Sequence, residues 1–458
     1  MVCDTDDADC DGLDYQDIQY HYQDSYDYDM EPEGTFSDLC QYCLGPTISD
    51  TLYYMLPLFL ASIIFKLIAQ SRYMPYNVFH ILSIVIGVFV IRNYAPECLC
   101  ILVVLMGVTY IFLHIPEKYH KGFGVFLPSL VLIVYCEISM EPSSWHKVRS
   151  IVMIGAMKGI SVAIDNTDSL SLPSFYEYLG YMFGAATCLF GPWISFKNYI
   201  DLYQKNYWNI PTISKTIGYF LASLTFLITS NCITQWIFSD NSNKWLLAYR
   251  DALSFRTSHY FISYTASTIM LLGGYPMSLV KITKPMEIEL PRSLVQVVVS
   301  WNNPMHFWLK TYIFRPCRTR LGRFGAVIIT YLTSSLLHGL NFQLAAVLLS
   351  LGFYTYIEFQ LRHTLAYTFN ACVAAKSCTD RKCTHDSKIR NSLWVVVTNL
   401  SFSALTIFHL SYLGLMFDVS DQQETGYSYS HTMDKWSQLG FASHWVALAM
   451  YCAQLLIG

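Results

Sequence analysis

Charge is scarce in this 458-residue chain: Asp, Glu, Lys and Arg make up only 14% of it, against about a quarter in ordinary soluble domains. With 53% hydrophobic residues, a disordered chain is excluded as well, because disorder needs low hydrophobicity. Bases are missing from residues 1–50, and the first is Lys66. No basic n-region therefore precedes an early apolar run, and no cleavable signal peptide is expected. The first membrane segment must serve as its own targeting signal. Neither a GxSxG elbow nor an HExxH helix occurs, which argues against a covalent serine mechanism and against zinc hydrolysis. No internal repeat supports an inverted-repeat transporter. The chain ends Leu455-Leu-Ile-Gly458, neither a KDEL-like tail nor a prenylation box. Fourteen cysteines in a chain this long do not make a dense disulfide framework.

What is present is uneven. Residues 1–50 hold 14 of the 33 acids, leaving 19 acids against 29 bases in the rest. The net charge of −4 thus joins an acidic, Tyr-rich tail to a mildly basic, very apolar body. Residues 1–38 read as a disordered tail and 39–458 as one membrane domain. Spanning the hydrocarbon core takes about 20 mostly apolar residues in a helix. Apolar stretches fall near 52–70, 77–91, 98–114, 124–139, 176–195, 213–238, 258–275, 324–338, 341–361, 392–416 and 439–457. An all-α, polytopic protein with about 11 membrane segments is expected, with amphipathic or re-entrant helices added.

Short cytoplasmic loops collect Lys and Arg. Two loops qualify: Lys310 through Arg323, and Arg362 to Arg390. If both face the cytosol, residues 324–361 must leave and return as a helical hairpin. About 19 residues per crossing suffice at 1.5 Å each. The turn falls near His338-Gly339-Leu340-Asn341, about 22 Å by helix rise from the basic loop and on the side away from the cytosol. An ionisable residue at that depth suggests function by default, although a histidine can also merely bridge helices. Ser334, one turn earlier, shares its face.

Upstream, Lys284 through Lys310 reads as an amphipathic segment with Leu294, Val297, Val298 and Trp301 at helical spacing. It is too polar to face lipid throughout, and is expected to be interfacial or re-entrant. Trp301-Asn302-Asn303-Pro304 would end its helix. A neutral histidine can take the proton of an attacking hydroxyl or thiol, and an amide side chain can polarise a carbonyl. These parts suit direct acyl transfer, and equally a proton relay in a transporter.

The cysteines leave alternatives open. Cys40-Gln-Tyr-Cys43 could hold plain thiols or a local disulfide. Cys372, Cys378, Cys383 and His385 share a basic loop, where a zinc site, acylated thiols or plain thiols are all possible. The sequon Asn399-Leu-Ser401 lies in an apolar run, out of reach of glycosylation.

The Trp-Asn-x-Pro element, followed 36 residues later by a histidine in an apolar segment, resembles the membrane-bound O-acyltransferases. More narrowly, the chain is similar to the branch that acylates Wnt proteins. The matching stretches are Trp145-His-Lys-Val-Arg149, Phe190-Gly-Pro-Trp-Ile-Ser-Phe196, Lys284-Pro through Glu289-Leu-Pro-Arg-Ser293, Ser300-Trp-Asn302, Leu336-Leu-His-Gly339, Leu344 through Leu351, and Lys435-Trp through Ser443-His-Trp445. The similarity runs in order over roughly 40–458. It implies an endoplasmic reticulum membrane enzyme that moves a cis-monounsaturated palmitoleoyl chain from palmitoleoyl-CoA to a Wnt serine in the lumen. It implies His338 as general base and Asn302 as the residue that orients or polarises the thioester, with a swap of duties between Asn302 and Asn303 left open. Trp301 and Ser334 could line the acyl tunnel, and Arg292 could contact substrate. The basic loop at 310–323 could attract the coenzyme A phosphates. His146 reads as a structural histidine. No metal, no further cofactor and no nucleic-acid partner are expected, only membrane lipid, acyl donor and acceptor. A lipid acyltransferase with a lysophospholipid or sterol acceptor, and a proton-coupled transporter, remain the competing readings.

Overall fold

The computed structural model describes residues 35–71, 73–114, 121–165, 172–203, 205, 209–339, 342–378, 392–417 and 429–457. Among them the architecture is all helical. Of the acidic tail, residues 1–34 lie outside the described set. Helix begins at Phe36, where a reciprocal pair between Thr35 and Asp38 caps the first turn, so the described helix starts a few residues before 39.

The chain then weaves antiparallel helices: α1 (Gly45–Gln70), α2 (Tyr76–Tyr94), α3 (Cys98–Leu113), α4 (Lys121–Ser139) and α5 (Pro142–Asp165). After the short α6 (Phe175–Met182) come α7 (Ile210–Ile228) and α8 (Lys244–Leu272). Two short helices, α9 (Leu294–Trp301) and α10 (Asn303–Trp308), lead into α11 (Arg315–Leu337). The hairpin partner α12 (Phe342–Thr368), α13 (Leu393–Gly414), α14 (Tyr429–Gln438) and α15 (Ala442–Ile457) complete the bundle.

Length and apolarity qualify five helices to cross a membrane, or six if the bent pair α14–α15 counts as one span. The expected eleven differ in kind at three places. Residues 176–195 are not a span: α6 stops at Met182, and the chain to Ser195 is irregular, with a cis Gly191–Pro192 bond. Irregular backbone survives at this depth because protein surrounds it. The buried Lys158 ammonium donates to the carbonyls of Tyr181 (3.0 Å) and Met182 (3.3 Å) and to the Thr187 hydroxyl (3.0 Å). Phe183 presses so closely on α2 that a Cβ at Gly87 would run into its carbonyl. Conversely, α5 has no counterpart among the apolar stretches. Its buried positions run almost continuously from Ile151 to Ala163, so protein rather than lipid surrounds it and no apolar stripe is required. Residues 258–275 and 324–338 belong to the longer, more polar α8 and α11.

Helix direction sorts the loops. The ends of α4 and α11 meet, because a Cβ at Gly339 would collide with the Glu137 carboxylate. The end of α2 reaches the start of α1 through a Tyr94 hydroxyl bond to the Tyr54 carbonyl. At the opposite end, the Tyr312 hydroxyl donates to Asp165 at 2.7 Å, beside the basic loop at 310–323. Cys43 bonds to Cys232 rather than to Cys40, which is a free thiol. This disulfide precedes α1, and so lies on the same side as His338, away from the basic loops. Cys372 and Cys378 sit with sulfurs 3.2 Å apart; Cys383 and His385 lie outside the described residues.

Candidate active site

Along α11, Arg323, Val327, Thr330, Tyr331, Ser334 and His338 recur at spacings of one to four and share one face. That face, together with α8, α9, α10 and α12, walls a cavity of about 1170 Å³. It extends along α11 from Arg323 to His338. One end carries His306, Lys310, Arg323 and Lys376; the other carries Glu137, Trp145, Arg149, His338 and Gln343; valines and leucines from α9 and α12 line the middle. Gly352 lets α12 close on α11, since a Cβ there would sit 2.8 Å from the Tyr331 ring.

His338 ends α11. Its backbone N–H donates to the Ser334 (3.2 Å) and Ser335 (3.1 Å) carbonyls, while its imidazole makes no hydrogen bond among the described residues. The turn needs the following glycine twice over: Gly339 has φ +98°, and the Glu137 carboxylate fills the space a side chain would occupy. One oxygen of that carboxylate accepts the Trp145 indole N–H. Among the described residues Glu137 is the one carboxylate on the cavity wall.

The two asparagines are distinguished by their bonds. Asn302 separates α9 from α10, and its Oδ1 accepts the Met305 N–H (3.0 Å), capping α10. Its amide N–H₂ is left as a donor on the cavity wall. Asn303 turns away: its amide donates to the Lys281 and Ile282 carbonyls, both at 3.2 Å, and it does not line the cavity. Trp301 does line it, stacked on the His259 ring at 4.3 Å, with a ring nitrogen of His259 bonded to the Trp301 carbonyl at 2.9 Å.

Of the five residues singled out from sequence, His338, Asn302, Trp301 and Ser334 therefore share one cavity. Arg292 does not join them. Its guanidinium donates to the Cys372 (2.8 Å) and Ala374 (3.2 Å) carbonyls and pins the loop after α12. An arginine beside the expected site looks from sequence like a substrate contact; only the fold shows two of its donors bonded to backbone and the residue away from the cavity wall. The sequon residue Asn399 is likewise engaged, accepting from Arg362 at 2.8 Å.

Sequence reading missed several wall residues. Trp145 and Arg149, in sequence only parts of a motif without a role, lie on the wall, as does His146, which reads as structural from sequence. Arg256 holds Glu289 with two bonds (2.8 and 3.0 Å), yet its Nη1 is buried without a partner. Gln343 carried no signal beyond its place after the turn. No cluster of metal-ligating side chains occurs among the described residues.

An unpartnered histidine and an amide donor facing one long cavity, apolar in the middle and cationic at one end, can bind an acylated anion and move a proton at its reacting carbonyl. Residues 129–415 match the model of the MBOAT, membrane-bound O-acyltransferase family. The chain is 34% identical over 460 residues to the protein-serine O-palmitoleoyltransferase porcupine of Homo sapiens, a match covering 92% of this chain and 98% of that relative. It is 38% identical over 344 residues to the protein of that name from Drosophila melanogaster, covering 69% of this chain and 65% of the relative. The protein of that name from Anopheles gambiae is 37% identical over 358 residues, covering 71% and 72%.

Proposed function

The chain belongs to the membrane-bound O-acyltransferase family, and we propose that it transfers a palmitoleoyl group from palmitoleoyl-CoA to a serine hydroxyl of Wnt proteins in the lumen of the endoplasmic reticulum. It is an acyltransferase and a multi-pass membrane protein. The observation that carries the specific reading is the cavity itself, which joins a cationic end to His338 at the other.

In this reading the coenzyme A phosphates rest among Lys310, Arg323 and Lys376, and the acyl chain lies against the apolar middle. Each methylene removed from water there contributes about 0.8 kcal/mol. The acceptor serine arrives at the His338 end. His338 takes the hydroxyl proton as the serine oxygen attacks the thioester carbonyl. The Asn302 amide N–H₂ donates to the carbonyl oxygen as it gains charge. The C–S bond then breaks, and the proton on His338 passes to the departing coenzyme A sulfur. The products are an O-acyl serine and coenzyme A. Trp301 and Ser334 shape the wall beside the thioester.

The shorter apolar helices Cys98–Leu113 and Gly124–Ser139, with the polar-faced α5, α8 and α11, bring the membrane segments to about eleven, α5 standing in for 176–195. Such a count carries the Cys43–Cys232 disulfide and His338 to the oxidising lumen and the basic loops to the cytosol. Residues 39–458 form the catalytic domain.

The test is direct. Purified protein in lipid is given labelled palmitoleoyl-CoA with a serine-bearing Wnt hairpin peptide, and in parallel with a lysophospholipid. Acyl-peptide at the expected mass, with no acylated lipid, supports the reading. Acylated lipid with untouched peptide overturns it.

A further inference from the structure

The cysteines of the loop after α12 take no part in the site described so far. Cys372 and Cys378 are not joined in a disulfide, and the Cys372 thiol donates to the Cys378 sulfur at 3.2 Å. Cys372 is 6% exposed, whereas Cys378 is only half-buried and is the more accessible of the two. Between them in the chain stands Lys376, exposed and on the cavity wall at its cationic end. The backbone on the Cys372 side is tied down. The Cys372 carbonyl accepts from Arg292 (2.8 Å) and Asn399 (3.2 Å). The Val373 and Ala374 carbonyls accept from Arg362 (2.8 and 3.2 Å), and the Ala375 carbonyl from the Ser293 hydroxyl (3.1 Å). Disulfide sulfurs lie about 2.05 Å apart, so these two need to approach by about 1 Å. With Cys372 anchored, that movement falls to Cys378 and to the stretch that carries Lys376.

We infer that Cys372 and Cys378 form a reversible oxidation site, and that its disulfide loosens the grip on the acyl donor. The oxidant is hydrogen peroxide. The Cys378 sulfur, having given up its proton, attacks one peroxide oxygen. The O–O bond breaks, and the departing hydroxide takes up that proton as water, leaving Cys378 as a sulfenic acid. The Cys372 sulfur then attacks the Cys378 sulfur. The S–S bond forms, the S–O bond breaks, and the hydroxyl leaves as a second water with the Cys372 proton. Two thiols are oxidised to one disulfide while one peroxide is reduced to two waters. The division of labour follows from burial: Cys378 meets the oxidant, and Cys372, sheltered but already in contact, resolves it. Transient disulfides of this sensing kind are the ones a reducing cytosol permits. The consequence for the donor rests on the function proposed above, which places the coenzyme A phosphates among Lys310, Arg323 and Lys376. Closing the bond draws Lys376 from its place on the wall and removes one of those cations.

The experiment treats the lipid-reconstituted full chain with hydrogen peroxide, alkylates the remaining thiols and maps the peptides by mass spectrometry. Binding of labelled palmitoleoyl-CoA is measured on the same samples. A peptide cross-linked between Cys372 and Cys378, lost again under a thiol reductant, is the expected product. Donor affinity should fall about tenfold on oxidation, the size of one lost charge-assisted contact, and return on reduction. Cys378→Ser should bind the donor as the unaltered protein does and should not respond to peroxide. Lys376→Gln should bind about tenfold more weakly from the start and lose little more on oxidation, because both changes remove one contact. Cys378 recovered as a sulfinic acid beside an alkylated Cys372 overturns the inference. So does a complete disulfide with unchanged donor affinity, or one zinc ion per chain that shields both thiols from alkylation. If Cys378→Ser binds no donor, the map and the affinity of the unaltered protein decide alone. No binding of palmitoleoyl-CoA by the reduced, unaltered protein would mark failure of the proposed function, and the map would still decide whether the two cysteines pair.

Discussion

Two groups of polar side chains lie inside the bundle, and they are built on opposite terms. Around Arg362 every valence is used: its guanidinium donates to the Val373, Arg292 and Ala374 carbonyls (2.8, 2.7 and 3.2 Å), to Glu358 (3.3 Å) and to Asn399 (2.8 Å). Glu358 in turn accepts the Leu294 N–H at 2.8 Å, and the Phe402 ring lies against the cation at 4.6 Å. This network ties α9, α12, α13 and the loop after α12 into one unit. Around the cavity, by contrast, His338, the Asn302 amide, Gln343 Oε1 and Arg256 Nη1 each keep a valence open. Buried polar groups that are fully satisfied hold a structure; those left open are costly on their own and are worth keeping where a substrate completes them.

Substitutions in each group test this difference. The largest effect is expected from the cavity: His338→Ala should lower acyl transfer by about 10²–10⁴-fold, with palmitoleoyl-CoA binding and thermal midpoint essentially unchanged. Turnover within a few-fold of the original would remove His338 from the chemistry. Next comes Arg362→Ala, which leaves Glu358 buried without its cation and should cost about 3–5 kcal/mol of stability, seen as a sharp drop in thermal midpoint in detergent. A variant as stable as the parent would show that the satisfied network is not what binds these elements. The smallest effect belongs to Arg292→Gln. Losing two bonds to backbone carbonyls should cost about 1–2 kcal/mol and leave the donor KM within twofold. A tenfold rise in that KM at unchanged stability would return Arg292 to the substrate path.

Much of the molecule can be read in one dimension. The apolar runs mark α1, α2, α7, α12 and α13 because a lipid-facing helix must be apolar along its length. The reversal at His338 follows from the spacing of two basic loops, and the helix break at Asn302 follows from the proline at 304. The reading falters where protein replaces lipid as the surroundings. Helix α5 carries Lys147, Lys158 and Ser161 and shows no apolar run long enough to span, while the apolar residues of 183–195 fold as irregular chain near Lys158. The pairing of Cys43 with Cys232 rather than with its near neighbour Cys40 has no trace in spacing, because the helices that bring the two together lie 189 residues apart in sequence.

Composition and spacing along the chain establish that this is a helical membrane protein, which end of its central hairpin carries the basic charge, and that a histidine lies at the other. These follow from hydrophobicity and charge counted along the chain, quantities each residue carries wherever it sits. Folding settles which of two adjacent asparagines faces the cavity, that Arg292 bonds to the backbone, and that Gln343 holds an acceptor without a partner among the described residues. Each depends on where a side chain's donors and acceptors are spent, and for Asn303, Arg292 and Gln343 the partners that spend them lie 21 to 82 residues away.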